Sequence, residues 1–213
     1  MFARGAASFL YPIIDTDACS AAGLDPAAVA DACLAGGARV VQLRDKTGSS
    51  AAFLSLADRL VQRASACDAV VVVNDRADIA RLSGAWGVHV GQDDLDVADV
   101  RRIVGSAAVV GISTHDELQI DAALQTDATY VAVGPIFGTA TKDTGYNARG
   151  LDLIRYAANR GKPIVAIGGI ALDRVLSVVE AGAAGLAVIS DLLTTGNPEA
   201  RTREFIARIS RTS

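Results

Sequence analysis

Eight short apolar runs, rich in β-branched residues, recur at Phe9–Ile14, Arg39–Leu43, Ala69–Val73, Gly87–Val90, Ala107–Ile112, Thr129–Val133, Pro163–Ile167 and Gly185–Ile189. Most are nearly uninterrupted, as strands are when helices cover both faces of a parallel sheet; a sheet with one wet face alternates apolar and polar residues instead. Between the runs the spacing turns helical. Phe53, Leu56, Ala57 and Leu60 lie at i, i+3, i+4 and i+7, and Leu172, Val175, Leu176 and Val179 repeat that interval. Asp25-Pro26 and Asn197-Pro198-Glu199 each place a capping side chain before a proline suited to the first helical position. Eight strand-helix alternations in 213 residues predict the α/β class and one domain, residues 1–213, closed as an eight-fold β/α (TIM) barrel. An open doubly wound sheet is the alternative. It normally has fewer units and a glycine-rich loop after its first strand, where this chain has Ile13-Ile14-Asp15-Thr16-Asp17.

A weak repeat supports closure. The second, fourth and eighth runs are approached through Gly36-Gly37-Ala38, Gly84-Ala85-Trp86-Gly87 and Gly182-Ala183-Ala184-Gly185, with Thr126-Asp127-Ala128-Thr129 before the sixth. Glycine after a helix serves as a left-handed cap, and small residues let the returning chain pass close to the sheet. That is a signal about the lower face of a barrel, not about function.

A net charge of −4, with no basic run, excludes general nucleic-acid binding, so any anionic ligand must be met by local cations. No apolar run approaches the ~18 residues of a membrane span, and residues 1–14 lack a signal-peptide cleavage pattern. Cys19, Cys33 and Cys67 are scattered without metal-type spacing, which predicts reduced thiols and a cytoplasmic protein. Homo-oligomerisation is neither required nor excluded by these residues.

In a parallel β/α architecture, ligands bind at the carboxyl ends of the strands, and here those ends are polar. The second run ends into Gln42-Leu43-Arg44-Asp45-Lys46, where alternation sets Gln42, Arg44 and Lys46 to one side. After the third and fourth come Asn74-Asp75 and Gly91-Gln92-Asp93-Asp94. Two carboxylates on neighbouring strand ends resemble a hard-cation site, since Mg²⁺ takes one or two carboxylates and fills its remaining positions with water and phosphate oxygens. Asn-Asp and Asp-Asp are also common helix caps. After the fifth comes Ser113, a candidate ligand donor. His115 reads as a local polar contact at a helix start and His89 as a hydrogen-bonded core histidine.

The sixth run breaks at Gly134-Pro135 into a loop holding Thr139, Ala140, Thr141 and Lys142: hydroxyl donors plus a point charge, suited to a phosphorylated ligand, or else a surface turn with a solvated lysine. Gly168-Gly169 after the seventh run and Ile189-Ser190 after the eighth offer backbone amides for a phosphate cup. Cations at Arg44, Lys46 and Lys142 beside acids at Asp75 and Asp94 make sense around a metal and a polyanion, with the cup holding a second, monophosphorylated ligand. No Ser/His/Asp or Cys/His set offers a nucleophile, and departure of pyrophosphate needs none.

Val41-Gln-Leu-Arg-Asp-Lys46, Asn74-Asp-Arg76, Gly87-Val-His-Val-Gly-Gln-Asp-Asp94, Gly111-Ile-Ser-Thr-His115, Val133-Gly-Pro-Ile-Phe-Gly-Thr-Ala-Thr-Lys142, Ala166-Ile-Gly-Gly-Ile170 and Val188-Ile-Ser190 together resemble the thiamine phosphate synthase family over nearly the whole chain. The resemblance implies an Mg²⁺-dependent transferase joining hydroxymethylpyrimidine diphosphate to thiazole phosphate, with ionisation of the pyrimidine preceding attack by the thiazole nitrogen. It implies that Gln42, Leu43, Arg44, Asp45, Lys46, Asn74, Ser113 and Lys142 hold the diphosphate substrate, with Arg44, Lys46, Ser113 and Lys142 catalytic. It further implies that Asp75 and Asp94 bind the metal and that Thr139, Ala140, Thr141, Gly169, Ile189 and Ser190 hold the thiazole phosphate. Two departures stand out: Asp45 where the family usually has Glu, and Ala140 where it usually has Pro. Losing that proline frees the loop backbone, and the polar tract 143–149 is a candidate lid. A related thiazole tautomerase or a non-catalytic ligand-binding barrel would not need Arg44, Lys46, Asp75, Asp94 and Lys142 together.

Overall fold

A computed structural model of the chain describes residues 2, 7–138 and 145–212. Strands β1 (Phe9–Asp15), β2 (Val40–Arg44), β3 (Val70–Asn74), β4 (Gly87–Val90), β5 (Val109–Thr114), β6 (Tyr130–Val133), β7 (Ile164–Ile167) and β8 (Gly185–Val188) pair in sequence order, all parallel. β8 returns to β1 with Phe9 opposite Gly185, which closes the barrel and eliminates the open-sheet alternative. Around it lie α1 (Thr16–Ala21), α2 (Pro26–Ala35), α3 (Ser50–Ser65), α4 (Ala77–Ser83), α5 (Val97–Val104), α6 (Glu117–Leu124), α7 (Leu151–Ala157), α8 (Val175–Glu180) and α9 (Pro198–Ile209). Among the described residues no helix is long and apolar enough to cross a membrane.

The local signals act as their chemistry dictates. Asp25 accepts a hydrogen bond from the Ala27 amide at the start of α2, and Asn197 accepts one from the Ala200 amide, 3.0 Å away, at the start of α9, each before a first-turn proline. Phe53, Leu56, Ala57 and Leu60 form the buried stripe of α3. The second expected stripe differs: Leu172 falls in a 3₁₀ turn, Leu172–Arg174, and the short α8 that follows buries Val175 and Val178. Gly84 caps α4 in the left-handed conformation, whereas after α2 and α8 the positive φ falls one residue later, at Gly37 and Gly182. β5 runs two residues past the expected end because Ser113 and Thr114 ladder with Ala132 and Val133 of β6, and the Thr114 hydroxyl donates to the Ala132 carbonyl.

Two apolar layers result. One lies between strands and helices and includes Leu43, Val73, Val110, Val131, Ile154 and Phe205. The other fills the barrel itself: Tyr11, Ile13, Val40, Val72, Val109, Tyr130, Ala132, Val165 and Ala187, with Phe2, Phe9 and Trp86 packed against them. Gly111 makes room for the largest of these. A Cβ there would stand 2.1 Å from Tyr130 Cζ, so no other residue fits without moving that ring.

Candidate active site at the carboxyl ends of the strands

β2 presents Gln42 inward and stops at Arg44. Arg44 is not free in the mouth. Its guanidinium forms an ion pair with Asp15 at the end of β1, both side chains largely shielded, while Asp15 also accepts from the Ala18 amide at 2.8 Å and so caps α1. One buried carboxylate thus fixes a helix start and an arginine together. Asp45 turns into its own loop, accepting from the Thr47 and Gly48 amides at 3.1 and 2.8 Å and from the Thr16 hydroxyl at 3.2 Å. Asp is the usual acceptor for amides two and three residues on, a turn in which Glu is not favoured.

Beyond Asp45, Lys46 reaches the next strand end and pairs with Asp75. Asp75 adopts φ 60°, a left-handed conformation that Asp tolerates better than most residues, and donates its amide to the His89 carbonyl at 2.7 Å. This turn holds its carboxyl facing that of Asp94, which accepts from the Gly91 amide at 2.8 Å. Partial removal from water and then the facing Asp75 carboxyl push the Asp94 carboxyl above its usual range, while the Gly91 amide and Lys46 pull the other way. Acids and a lysine from β2, β3 and β4 therefore meet at one edge of the mouth. Among the described residues no group of three or more His, Cys, Asp or Glu forms a metal cage.

The floor is a buried polar chain. Gln42 Nε2 donates to Tyr11 Oη at 3.1 Å, Tyr11 Oη lies 3.1 Å from Tyr130 Oη, Tyr130 Oη lies 2.9 Å from His89 Nδ1, and His89 Nε2 lies 2.8 Å from Ser113 Oγ. Burial raises both phenols well above their usual range, so both stay protonated. With Gln42 as donor, one direction satisfies every partner: Tyr11 donates to Tyr130, Tyr130 to His89 Nδ1, and His89 Nε2–H to Ser113. The Ser113 hydroxyl proton is then left for a ligand. The expectation that His89 is a hydrogen-bonded core histidine holds, and it also touches a candidate binding residue. Asn74, 8% exposed, sits beside His89 in the sheet register.

Across the barrel, Gly168 and Gly169 follow β7 with φ of 100° and 62°, and the adjacent β8 leads into Ile189 and a 3₁₀ turn that begins at Ser190. A Cβ on Gly169 would lie 2.5 Å from the Gly138 carbonyl oxygen, so the two loops approach as only glycine permits. Arg174 donates to the Gly169 carbonyl at 2.7 Å and lies over the Phe137 ring, 4.4 Å from its centroid. His115 makes a local polar contact at the start of α6: its Nδ1 lies 2.6 Å from the Gly134 carbonyl oxygen and its ring stacks on Tyr146 at 4.4 Å. Thr139, Ala140, Thr141 and Lys142, with the first part of the tract 143–149, lie outside the described residues. The chain on either side is tied together, Arg149 and Gly150 donating their amides to the carbonyls of Pro135 and Ile136 at 2.8 and 2.9 Å.

Sequence reasoning missed Asp15, Tyr11 and Tyr130. Asp15 was legible as a polar residue at a strand end. The tyrosines look like ordinary aromatic members of apolar runs, and only the inward face of the closed barrel brings their hydroxyls together.

Comparison with known proteins agrees along most of the chain. Residues 10–192 match the family described as thiamine monophosphate synthase. A thiamine-phosphate synthase of Koribacter versatilis (strain Ellin345) is 41% identical over 203 residues, covering 92% of this chain and 93% of the relative. Another, of Laribacter hongkongensis (strain HLHK9), is 42% identical and covers 93% of each. Among solved structures, thiamine phosphate pyrophosphorylase from Pyrococcus furiosus superposes with a TM-score of 0.87 over 96% of both chains at 27% identity.

Proposed function

The chain belongs to the thiamine monophosphate synthase family and is a transferase of thiamine biosynthesis, and we propose that it joins 4-amino-2-methyl-5-hydroxymethylpyrimidine diphosphate to 4-methyl-5-(2-phosphoethyl)thiazole through dissociative loss of pyrophosphate. The observation that carries this reading is the meeting of Lys46, Asp75 and Asp94 at one edge of a mouth whose floor presents Ser113.

Asp75 and Asp94 would hold Mg²⁺. Two carboxyls pressed together, one of them pushed toward protonation, form a donor set that a divalent cation relieves, and two is the number Mg²⁺ typically takes. Bound there, the ion would supply Lewis-acid stabilisation of charge on the departing diphosphate. The chain's own groups do the remainder. Arg44, held in place by Asp15, and Lys46, at the edge of the mouth, neutralise the diphosphate oxygens together with Lys142. Gln42, Leu43, Asn74 and Ser113 position the pyrimidine end, while Asp45 acts through the loop it holds in shape. The C–O bond breaks with its electron pair leaving on pyrophosphate, and the thiazole nitrogen lone pair forms the new C–N bond. No step needs a protein base. Gly169, Ile189 and Ser190, joined by Thr139, Ala140 and Thr141, orient the thiazole through its phosphate.

The same reading takes residues 1–213 as one domain working in the cytoplasm. The free thiols Cys19, Cys33 and Cys67 fit a reducing compartment. Release of pyrophosphate that requires both substrates and Mg²⁺ is the expected result. If both substrates with Mg²⁺ gave none, the synthase reading would be lost.

A further inference from the structure

The polar floor that ends at Ser113 rests on an aromatic plug at the opposite end of the barrel. Phe2, upstream of β1, lies with its ring parallel to that of Tyr130, 4.3 Å between centroids and 6° between planes. It also stacks on Trp86 at 5.7 Å and meets Phe9 and Tyr11 edge-on at 5.0 and 6.0 Å. Phe9 opens β1 and Trp86 immediately precedes β4, so the plug sits at the amino ends of the strands, away from the mouth. Tyr130 stacks in turn on His89 at 5.6 Å, and its hydroxyl contacts both His89 and Tyr11. A ring that is fully buried and stacked on two others has little freedom to shift its hydroxyl.

We infer that Phe2 is a positioning residue for the diphosphate substrate, acting from the far end of the barrel by holding Tyr130 so that His89 presents Ser113 to the mouth. This rests on the synthase reading for its kinetic consequence only. Without the Phe2 ring, Tyr130 loses its stacked neighbour on the plug side, and its hydroxyl is set by hydrogen bonds alone. The effect belongs to the side of the mouth that Ser113 serves, and not to the loops after β7 and β8.

The chain supplies its own reporters. Trp86 is the single tryptophan, and His89 and His115 are the two histidines. Phe2→Ala and Phe2→Leu are compared with the unaltered chain by Trp86 fluorescence, by the imidazole NMR signals of both histidines, and by kcat and KM for each substrate. Phe2→Ala is expected to change Trp86 emission, to move the His89 signal while leaving that of His115 in place, and to raise KM for the pyrimidine diphosphate about two- to tenfold, the size of one aromatic pair. KM for the thiazole phosphate stays unchanged, and Phe2→Leu, which refills the apolar space, recovers most of the loss. An unmoved His89 signal in Phe2→Ala overturns the role given to Phe2, as does an equal rise in both KM values. The His89 signal needs no turnover, so an unaltered chain that released no pyrophosphate would count against the synthase reading alone.

Discussion

Gly111→Ala is the sharpest test of how the site floor is built. The new Cβ would lie 2.1 Å from Tyr130 Cζ, 2.4 Å from its Oη and 2.5 Å from Cε1. Carbon atoms in contact stand ~3.5–4.0 Å apart, so the ring would have to retreat by more than about 1 Å. It has nowhere to go. Tyr130 is fully buried, stacked on Phe2 and His89 and hydrogen-bonded to Tyr11 at 3.1 Å and His89 at 2.9 Å. Overpacking of this kind costs about 1–3 kcal/mol, and leaving a buried polar partner unmet adds about 1–3 kcal/mol. A loss of roughly 2–4 kcal/mol is expected, which for a chain of this size lowers Tm by roughly 5–15 °C. Thermal unfolding measures it. A double-mutant cycle assigns the cause: in a Tyr130→Leu background the ring is gone, and Gly111→Ala should cost less than about 1 kcal/mol. A Tm change under about 2 °C, or the same loss in both backgrounds, would refute the argument that this glycine exists to seat Tyr130.

Other outcomes can be checked in the same laboratory. Asp75→Asn or Asp94→Asn should lower turnover at saturating substrate by at least about a hundredfold, yet leave the Tm of the metal-free chain unchanged or higher, because a like-charge contact is removed; a metal-free Tm well below that of the unaltered chain would mean the pair is structural. Asp15→Ala strands the shielded Arg44 and uncaps α1, so unfolding measurements should show a loss of about 3–5 kcal/mol. Burial pushes the Cys19 and Cys33 thiols up to about 11. An aromatic disulfide reagent at neutral pH should therefore titrate Cys67 rapidly and the other two only on unfolding. Because those folded values are raised, the stability they contribute is complete below the ordinary thiol value of 9.0 and falls away as pH climbs toward about 11, which Tm against pH would reveal.

The candidate site residues divide by how far apart their partners are. Gln42, Arg44, Lys46, Asn74, Asp75, Asp94 and Ser113 could be picked out because each lies at or just past the carboxyl end of an apolar run, and in a parallel barrel that position alone brings a residue to the mouth. What each of them touches was not legible. Alternation put Gln42, Arg44 and Lys46 on one side, but the strand ends at Arg44, and the three diverge to Tyr11, Asp15 and Asp75. Asp45 reads as a ligand group beside two cations, yet a local turn claims its carboxylate.

From the sequence alone followed the eight strands, their parallel order, the helix starts at Asp25 and Asn197, and the polar end of the molecule, because periodicity and capping are properties of neighbouring residues. Tertiary structure alone decided the chain of contacts from Gln42 to Ser113, the pairing of Arg44 with Asp15, and the seat of Phe2 under Tyr130. Tyr11 and Tyr130 stand 119 positions apart, and their hydroxyls meet only once β8 has closed on β1 and the register of every intervening strand is set. Closure of that kind is a sum over the whole sheet, and no window of residues contains it.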